Sequence, residues 1–246
     1  ANGTVGAYAA GVPLDPAAPP VVLVHGWGGS FATTWERSGF TELLADAGCT
    51  VVGVDLLGHG TAPKPHDPDA YADLTTRVFD AMPDEPVDAI GFSLGAMTLL
   101  RAAIAQPHRF RRLVLAGIGR NVFERDDEAT RRIIDAVEGN AATDDNTARL
   151  FAQYAADPAN DPVALAAIMR RSPADPPTDE QLARVTCPVL VAVGDDDFVL
   201  PADRLVAALP DATFRPLRRT DHFATPESFA FIDAALEFID AVPAWD

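Results

Sequence analysis

Val87-Asp88-Ala89-Ile90-Gly91-Phe92-Ser93-Leu94-Gly95-Ala96 is the stretch that decides how this chain is read. It runs as a short apolar strand, a tight G-x-S-x-G turn over 91–95, and the start of a helix at Leu94. A serine on so sharp a strand-to-helix turn has its Oγ pushed clear of the sheet, beside the free N–H groups of a helix N-terminus. Small residues at 91 and 95 leave room for the turn and let the helix pack close to its neighbours. Alone, the motif arises by chance in roughly one chain in twenty of this length. Its meaning therefore rests on what surrounds it.

Outward from the turn, apolar strand-length runs lie at 21–24, 50–54, 112–116, 188–193 and 213–217. A weaker leading strand is expected at 4–10. Helical patterns separate them, over 40–47, 71–82, 94–105 and 226–242. Strands that are apolar throughout and alternate with helices predict a parallel sheet covered on both faces. Right-handed crossovers then bring the loops after the strands to one edge, where ligands bind in open sheets of this kind. The alternation stops between 119 and 184. There the sequence shows only short helices, over 126–138, 143–156 and 161–171, then a capping box at Thr178–Gln181. This predicts three segments: 1–118 and 185–246 as the two parts of one α/β core, and 119–184 as a helical insertion over the sheet edge.

Composition narrows the function classes. The chain has 246 residues, 48% of them hydrophobic, which suits one globular domain with an insertion. No apolar run approaches the ~20 residues of a membrane helix. The formal charge is −17, with Lys64 the only lysine. Such a surface repels phosphate, so neither nucleic acid nor an anionic membrane is an expected partner. Cys49 and Cys187 each precede a strand and read as small buried residues. With no C-x-x-C or Cys/His cluster, no metal is expected. Two cysteines do not staple a protein of this size, so a reducing, cytoplasmic setting is expected.

Serine needs a base to take its proton, usually a histidine oriented by a buried carboxylate. Of the five histidines, His222 stands in the loop directly after the last strand, at the predicted catalytic edge. His108 reads as a surface residue, and His66 lies in a proline-broken loop with no evident partner. His25 and His59 flank catalytic loops and read as buried groups that order them. The acid should come from Gly194-Asp195-Asp196-Asp197-Phe198-Val199-Leu200-Pro201, and the residues themselves leave the three aspartates open.

Taken in order, these motifs resemble the α/β-hydrolase superfamily over nearly the full chain. His25-Gly26-Trp27 is similar to the oxyanion loop of the serine-nucleophile, esterase-like branch in which one bulky residue follows H-G. Asp55-x-x-Gly58-His59-Gly60 looks like its D-x-x-G-x-G loop, although Thr61-Ala62 follow where a small residue and a serine are usual. Gly91–Gly95 matches the nucleophile elbow, and Gly194-x-x-Asp197 and His222-Phe223 match the acid and base loops. The resemblance implies Ser93, Asp197 and His222 as the catalytic triad, with Asp196 the runner-up acid. It implies the backbone N–H groups of Trp27 and Leu94 as an oxyanion hole. Trp27, Phe92, Val199 and Phe223 are expected to wall a substrate pocket, joined by Phe151 and Met169 from the insertion. The implied activity is hydrolysis of a small to medium apolar carboxylic ester without a cofactor. Thioesters, lactones and C–C bonds are the alternatives, and a ligand-binding member that has lost catalysis is a more distant one.

Overall fold

A computed structural model describes residues 19–140 and 144–241; the strand expected at 4–10 lies outside them. Six strands, β1 (Val21–Val24), β2 (Val51–Val54), β3 (Val87–Phe92), β4 (Phe110–Ala116), β5 (Val189–Gly194) and β6 (Ala212–Leu217), form one parallel sheet in the order β2-β1-β3-β4-β5-β6. The unbroken apolar runs follow from burial on both faces. Val22, Val24, Leu113, Leu115 and Val191 point to one side, against α2 (Thr75–Ala81), α3 (Leu94–Ala105) and α8 (Asp203–Ala208). Val21, Leu23, Ile90, Val114 and Leu190 point to the other, against Trp35, α1 (Phe40–Asp46) and α9 (Phe229–Phe238). Each fully buried Val, Leu or Ile contributes about 1.5–3 kcal/mol relative to exposure.

The strand order places the functional edge. After β1 the chain moves to β2 on one side, then returns past β1 to β3 on the other. The loops after β1 and β3 therefore leave in opposite directions, opening the crevice where ligands bind in such sheets. The loop after β1 holds His25-Gly26-Trp27, and β3 runs directly into Ser93.

Three local expectations are corrected. The helix predicted over 71–82 is a 3-10 turn (Pro68–Tyr71) followed by α2. They are separated at Asp73, whose carboxylate accepts from the Thr75 N–H and from the Thr75 and Thr76 hydroxyls, a local alternative to helix. The helix predicted from 226 starts only at Phe229, after a 3-10 turn at Thr225–Glu227. His66 has a partner: its Nε2 lies 2.8 Å from Asp161 Oδ2.

Between β4 and β5 lie α4 (Asp127–Val137), α5 (Asn146–Ala155), α6 (Pro162–Arg170) and α7 (Asp179–Leu182). Asp126, Asp145 and Asp161 cap the first three through backbone N–H groups, each worth about 1 kcal/mol. The capping box at Thr178 and Gln181 opens the fourth. The first three share a small core of their own with the 68–74 loop, in which Tyr71 and Leu74 pack with Ala155, Leu165, Ala167 and Ile168, while Leu182 of α7 joins the sheet core. Trp27 and Leu94 pack against the small core from the sheet edge.

Candidate active site

Ser93 sits between β3 and α3 with φ 51° and ψ −112°, a backbone conformation that L residues rarely hold. Its neighbours explain how the turn closes. A Cβ on Gly91 would meet the Ala96 backbone nitrogen at 2.7 Å, and one on Gly95 would meet the Val24 carbonyl oxygen at 2.3 Å. The start of α3 thus lies against the end of β1, and only glycine fits there. The Ser93 N–H is anchored to the Ala116 carbonyl at 2.8 Å.

The loops after β5 and β6 bring two further side chains to this point. His222 Nε2 lies 3.0 Å from Ser93 Oγ. Its Nδ1 lies 3.0 and 2.9 Å from the two carboxylate oxygens of Asp197. Both His222 and Asp197 are buried, whereas Asp195 and Asp196 are exposed. Asp197 Oδ1 also accepts from the Val199 N–H at 3.0 Å. The Asp195 carboxylate turns away from the imidazole and accepts from the Thr220 N–H at 3.3 Å, lacing the two loops together. The imidazole of His222 is shielded by aromatic rings, with Phe92 at 5.0 Å, Phe198 at 4.5 Å and Phe223 at 5.6 Å between centroids. The part played by Phe198 was missed from sequence. It follows three aspartates in a loop, and nothing in the pattern aims its ring at the imidazole.

His25 and His59 order the neighbouring loops. His25 Nε2 accepts from the Leu56 N–H at 3.1 Å, so the ring hydrogen sits on Nδ1 and is donated to the Gly26 carbonyl at 2.7 Å. Its 3.7 Å approach to Asp55 is therefore not an ion pair. Burial outweighs the Gly26 bond and the Asp55 charge, and holds the His25 pKa below the usual range. His59, 4.9 Å away between ring centroids, donates from Nδ1 to the Leu57 carbonyl at 3.1 Å. Burial first, then the neighbouring His25, push it down to about 3. Asp55 clamps two loops at once, accepting from the Phe31 N–H and from the Thr61 N–H at 2.8 Å each.

The N–H groups of Trp27 and Leu94 have no acceptor among the described residues. The Trp27 ring is held in place by its Nε1–H, which donates to the Leu165 carbonyl of α6 at 3.1 Å. It stands between two cavities. One, of about 530 Å³, reaches Ser93 and is lined by Trp27, Leu94, Met97, Ile133 and Met169 among others. The second, of about 340 Å³, is lined in part by Gly26, Trp27, Phe92, Tyr154 and Phe223. Two residues expected on the pocket wall line neither. Val199 is buried in the core beneath the site. Phe151 packs between Trp27 at 5.2 Å and Phe223 at 5.4 Å. Among the described residues, no three His, Cys, Asp or Glu side chains gather closely enough to hold a metal ion.

Comparison with known proteins gives this geometry a context. A model of the alpha/beta hydrolase family matches residues 21–241. A 2-hydroxy-6-oxo-2,4-heptadienoate hydrolase of Pseudomonas putida is 33% identical over 144 residues, 56% of this chain and 49% of the relative. A pimeloyl-[acyl-carrier protein] methyl ester esterase of Neisseria meningitidis is 38% identical over 106 residues, 42% of this chain and 38% of the relative. The chain thus spans about half the length, or less, of the curated relatives it matches. Among solved structures, an enol-lactonase of Burkholderia xenovorans superimposes with a TM-score of 0.72 at 19% identity, covering 93% of this chain and 94% of the other. That likeness is one of fold. The family match begins at the first residue of β1 and runs through all six strands to the end of α9 and beyond, taking in the turn that presents Ser93 at the crevice; the chain belongs to the alpha/beta hydrolase family.

Proposed function

We propose that the protein is a serine hydrolase that cleaves a small to medium carboxylic ester through an acyl-enzyme. The observation that carries this reading is the continuous hydrogen-bonded line Ser93 Oγ, His222 Nε2, His222 Nδ1, Asp197, at 3.0 and 2.9 Å. In this reading Ser93 Oγ attacks the ester carbonyl while His222 Nε2 takes its proton. Asp197 holds the Nδ1–H tautomer and stabilises the imidazolium that forms. The N–H groups of Trp27 and Leu94 receive the oxyanion, donors worth about 3 kcal/mol each in such sites. His222 then returns the proton to the leaving alcohol, and water releases the acid by the same steps.

Residues 119–184 act as a cap that sets substrate choice. Support comes from α6, which holds the Trp27 ring, and from Ile133 and Met169, which line the cavity at Ser93. An ester asks nothing of the site beyond the triad and two oxyanion donors. The methyl ester esterase, enol-lactonase and dienoate hydrolase among the similar proteins are named for different substrates, and ester turnover distinguishes among them. The net charge of −17 supports a small-molecule substrate over nucleic acid. The two buried free cysteines support a reducing, cytoplasmic setting; no helix among the described residues is long and apolar enough to cross a membrane.

The test is covalent labelling of the purified chain with a small fluorophosphonate, together with turnover of nitrophenyl esters of graded acyl length. Labelling at Ser93, with both labelling and turnover lost in Ser93→Ala and His222→Ala, is the expected result. An unlabelled wild-type protein would make the chain a ligand-binding relative.

A further inference from the structure

The larger cavity is not uniformly apolar. Along α3, Ser93, Met97 and Arg101 recur at intervals of four, on one face of the helix, and all three line this cavity. Eight residues at 1.5 Å each put Arg101 about 12 Å along the helix axis from the serine. Arg171, the residue directly after α6, lines the same cavity, and so does Arg125.

The hydrogen bonds of two of these arginines leave room for a ligand. Arg171 Nη1 donates to the Ile168 carbonyl at 2.5 Å and Arg101 Nη2 to the Asp175 carbonyl at 3.2 Å. Both acceptors are backbone oxygens. Among the described residues, neither guanidinium forms an ion pair with a carboxylate. Elsewhere Arg111, Arg112, Arg132, Arg170 and Arg215 each find one, and Arg125 pairs with Asp127. Acidic side chains do lie on the cavity wall, at Asp73, Glu124 and Asp175. Asp73 is taken up by Thr75 and Thr76, and Asp175 acts on Arg101 through its charge without closing to an ion pair.

Among the described residues six of the eighteen arginines form an ion pair, so what sets these two apart is their place: both are half-buried and both line one cavity, in a chain with 36 acidic and 19 basic residues. They also repel. Burial first, then the like charges of Arg125 and Arg101, hold the Arg171 guanidinium below the usual arginine range. An arriving anion would offset that repulsion, and a planar guanidinium matches carboxylate and phosphate in two-point geometry.

We propose that Arg101 and Arg171 form the distal end of the substrate site and bind an oxyanion group carried by the substrate, a carboxylate or a phosphate, while the scissile carbonyl sits at Ser93. The proposal rests on the hydrolase reading above and names its substrate class: an anionic ester with an apolar middle along Leu94 and Met97, in place of a wholly apolar one.

The test compares mono-nitrophenyl esters of C4 to C10 dicarboxylic acids with neutral alkanoate esters of matched length. Acetates of ω-carboxyalkyl and ω-phosphoalkyl alcohols probe the other half of the substrate and distinguish carboxylate from phosphate. At the best length kcat/KM should favour an anionic ester by roughly tenfold or more, and 1 M NaCl should erode the ratio by screening. In Arg101→Met and in Arg171→Met the ratio should fall to within about twofold of unity, with fluorophosphonate labelling of Ser93 showing that each variant is folded. Arg101→Met decides if Arg171→Met does not label. A wild-type ratio at or below one, at every length and on both halves, overturns the proposal. Absence of both labelling and turnover would instead defeat the hydrolase reading. Calorimetric titration with C4 to C10 dicarboxylates then tests the anion site alone: binding lost in the arginine variants supports it, and no binding to wild type overturns it.

Discussion

At the residue scale, what separates a catalytic side chain from its neighbours is burial and contact. Asp195, Asp196 and Asp197 are chemically identical and adjacent, so the residues alone left the acid open, and the family resemblance pointed to Asp197. The structure gives that choice a physical form. Only Asp197 is buried and only Asp197 meets the imidazole. Asp197→Asn is therefore expected to lower kcat by about 10³–10⁴, because an amide cannot hold the required tautomer or stabilise the imidazolium. Asp196→Asn should stay within a few-fold of wild type. Asp195→Asn should too, since its amide oxygen can still accept from Thr220. Steady-state kinetics of the three variants on one nitrophenyl ester checks this, and a worse loss in Asp196→Asn would reassign the acid.

At the element scale, the site depends on contacts between the 119–184 helices and the loop after β1. Asn160, just ahead of α6, donates from Nδ2 to the Gly28 carbonyl at 2.8 Å and to the Tyr154 carbonyl at 2.9 Å. Asn160→Ala removes both bonds at a partly buried place, a loss of about 1–3 kcal/mol. The expected outcome is a lower melting temperature and a raised KM, with Ser93 still reactive toward the small phosphonate; an unchanged KM would mean that this contact does not shape the pocket. The strand and helix pattern was legible because strands buried on both faces must be nearly continuously apolar: β1 and β5 are apolar throughout, and β3 is broken only by Asp88, whose buried carboxylate is paired with Arg111. The 119–184 helices were legible from period and, for the last two, from the caps at Asp161 and Thr178. What stayed hidden was set by tertiary contact. Nothing local tells that Phe151 backs onto Trp27 while Met169 reaches the cavity, or that His66 would meet Asp161 across 95 residues. The break at Asp73 was visible in principle, as an aspartate two and three residues before threonines inside a helical pattern.

At the scale of the whole molecule, two opposing effects govern stability in acid. The net charge of −17 makes the native state repel itself, so protonating surface carboxylates relieves strain as pH falls. The buried histidines act in the other direction. His59 is pushed from 6.5 to about 3 in the fold, and His25 is lowered too. Both are held neutral in the fold, and His59 gains a proton on unfolding between those two values. The His59 contribution to stability is complete above the unfolded pKa of about 6.5 and is lost as pH falls toward 3; His25 acts in the same direction. A single such group gives a slope approaching ~1.4 kcal/mol per pH unit within that window. Working in 1 M NaCl shortens the screening length to about 3 Å and suppresses the surface term. His59→Asn keeps a donor where Nδ1 meets the Leu57 carbonyl and deletes Nε2, which has no partner among the described residues. The expected outcome, from urea unfolding of both proteins in 1 M NaCl at pH 7, 6, 5 and 4, is that wild type loses stability faster than the variant by roughly 1 kcal/mol per pH unit below pH 6. Parallel curves would show that His59 is not held neutral in the fold.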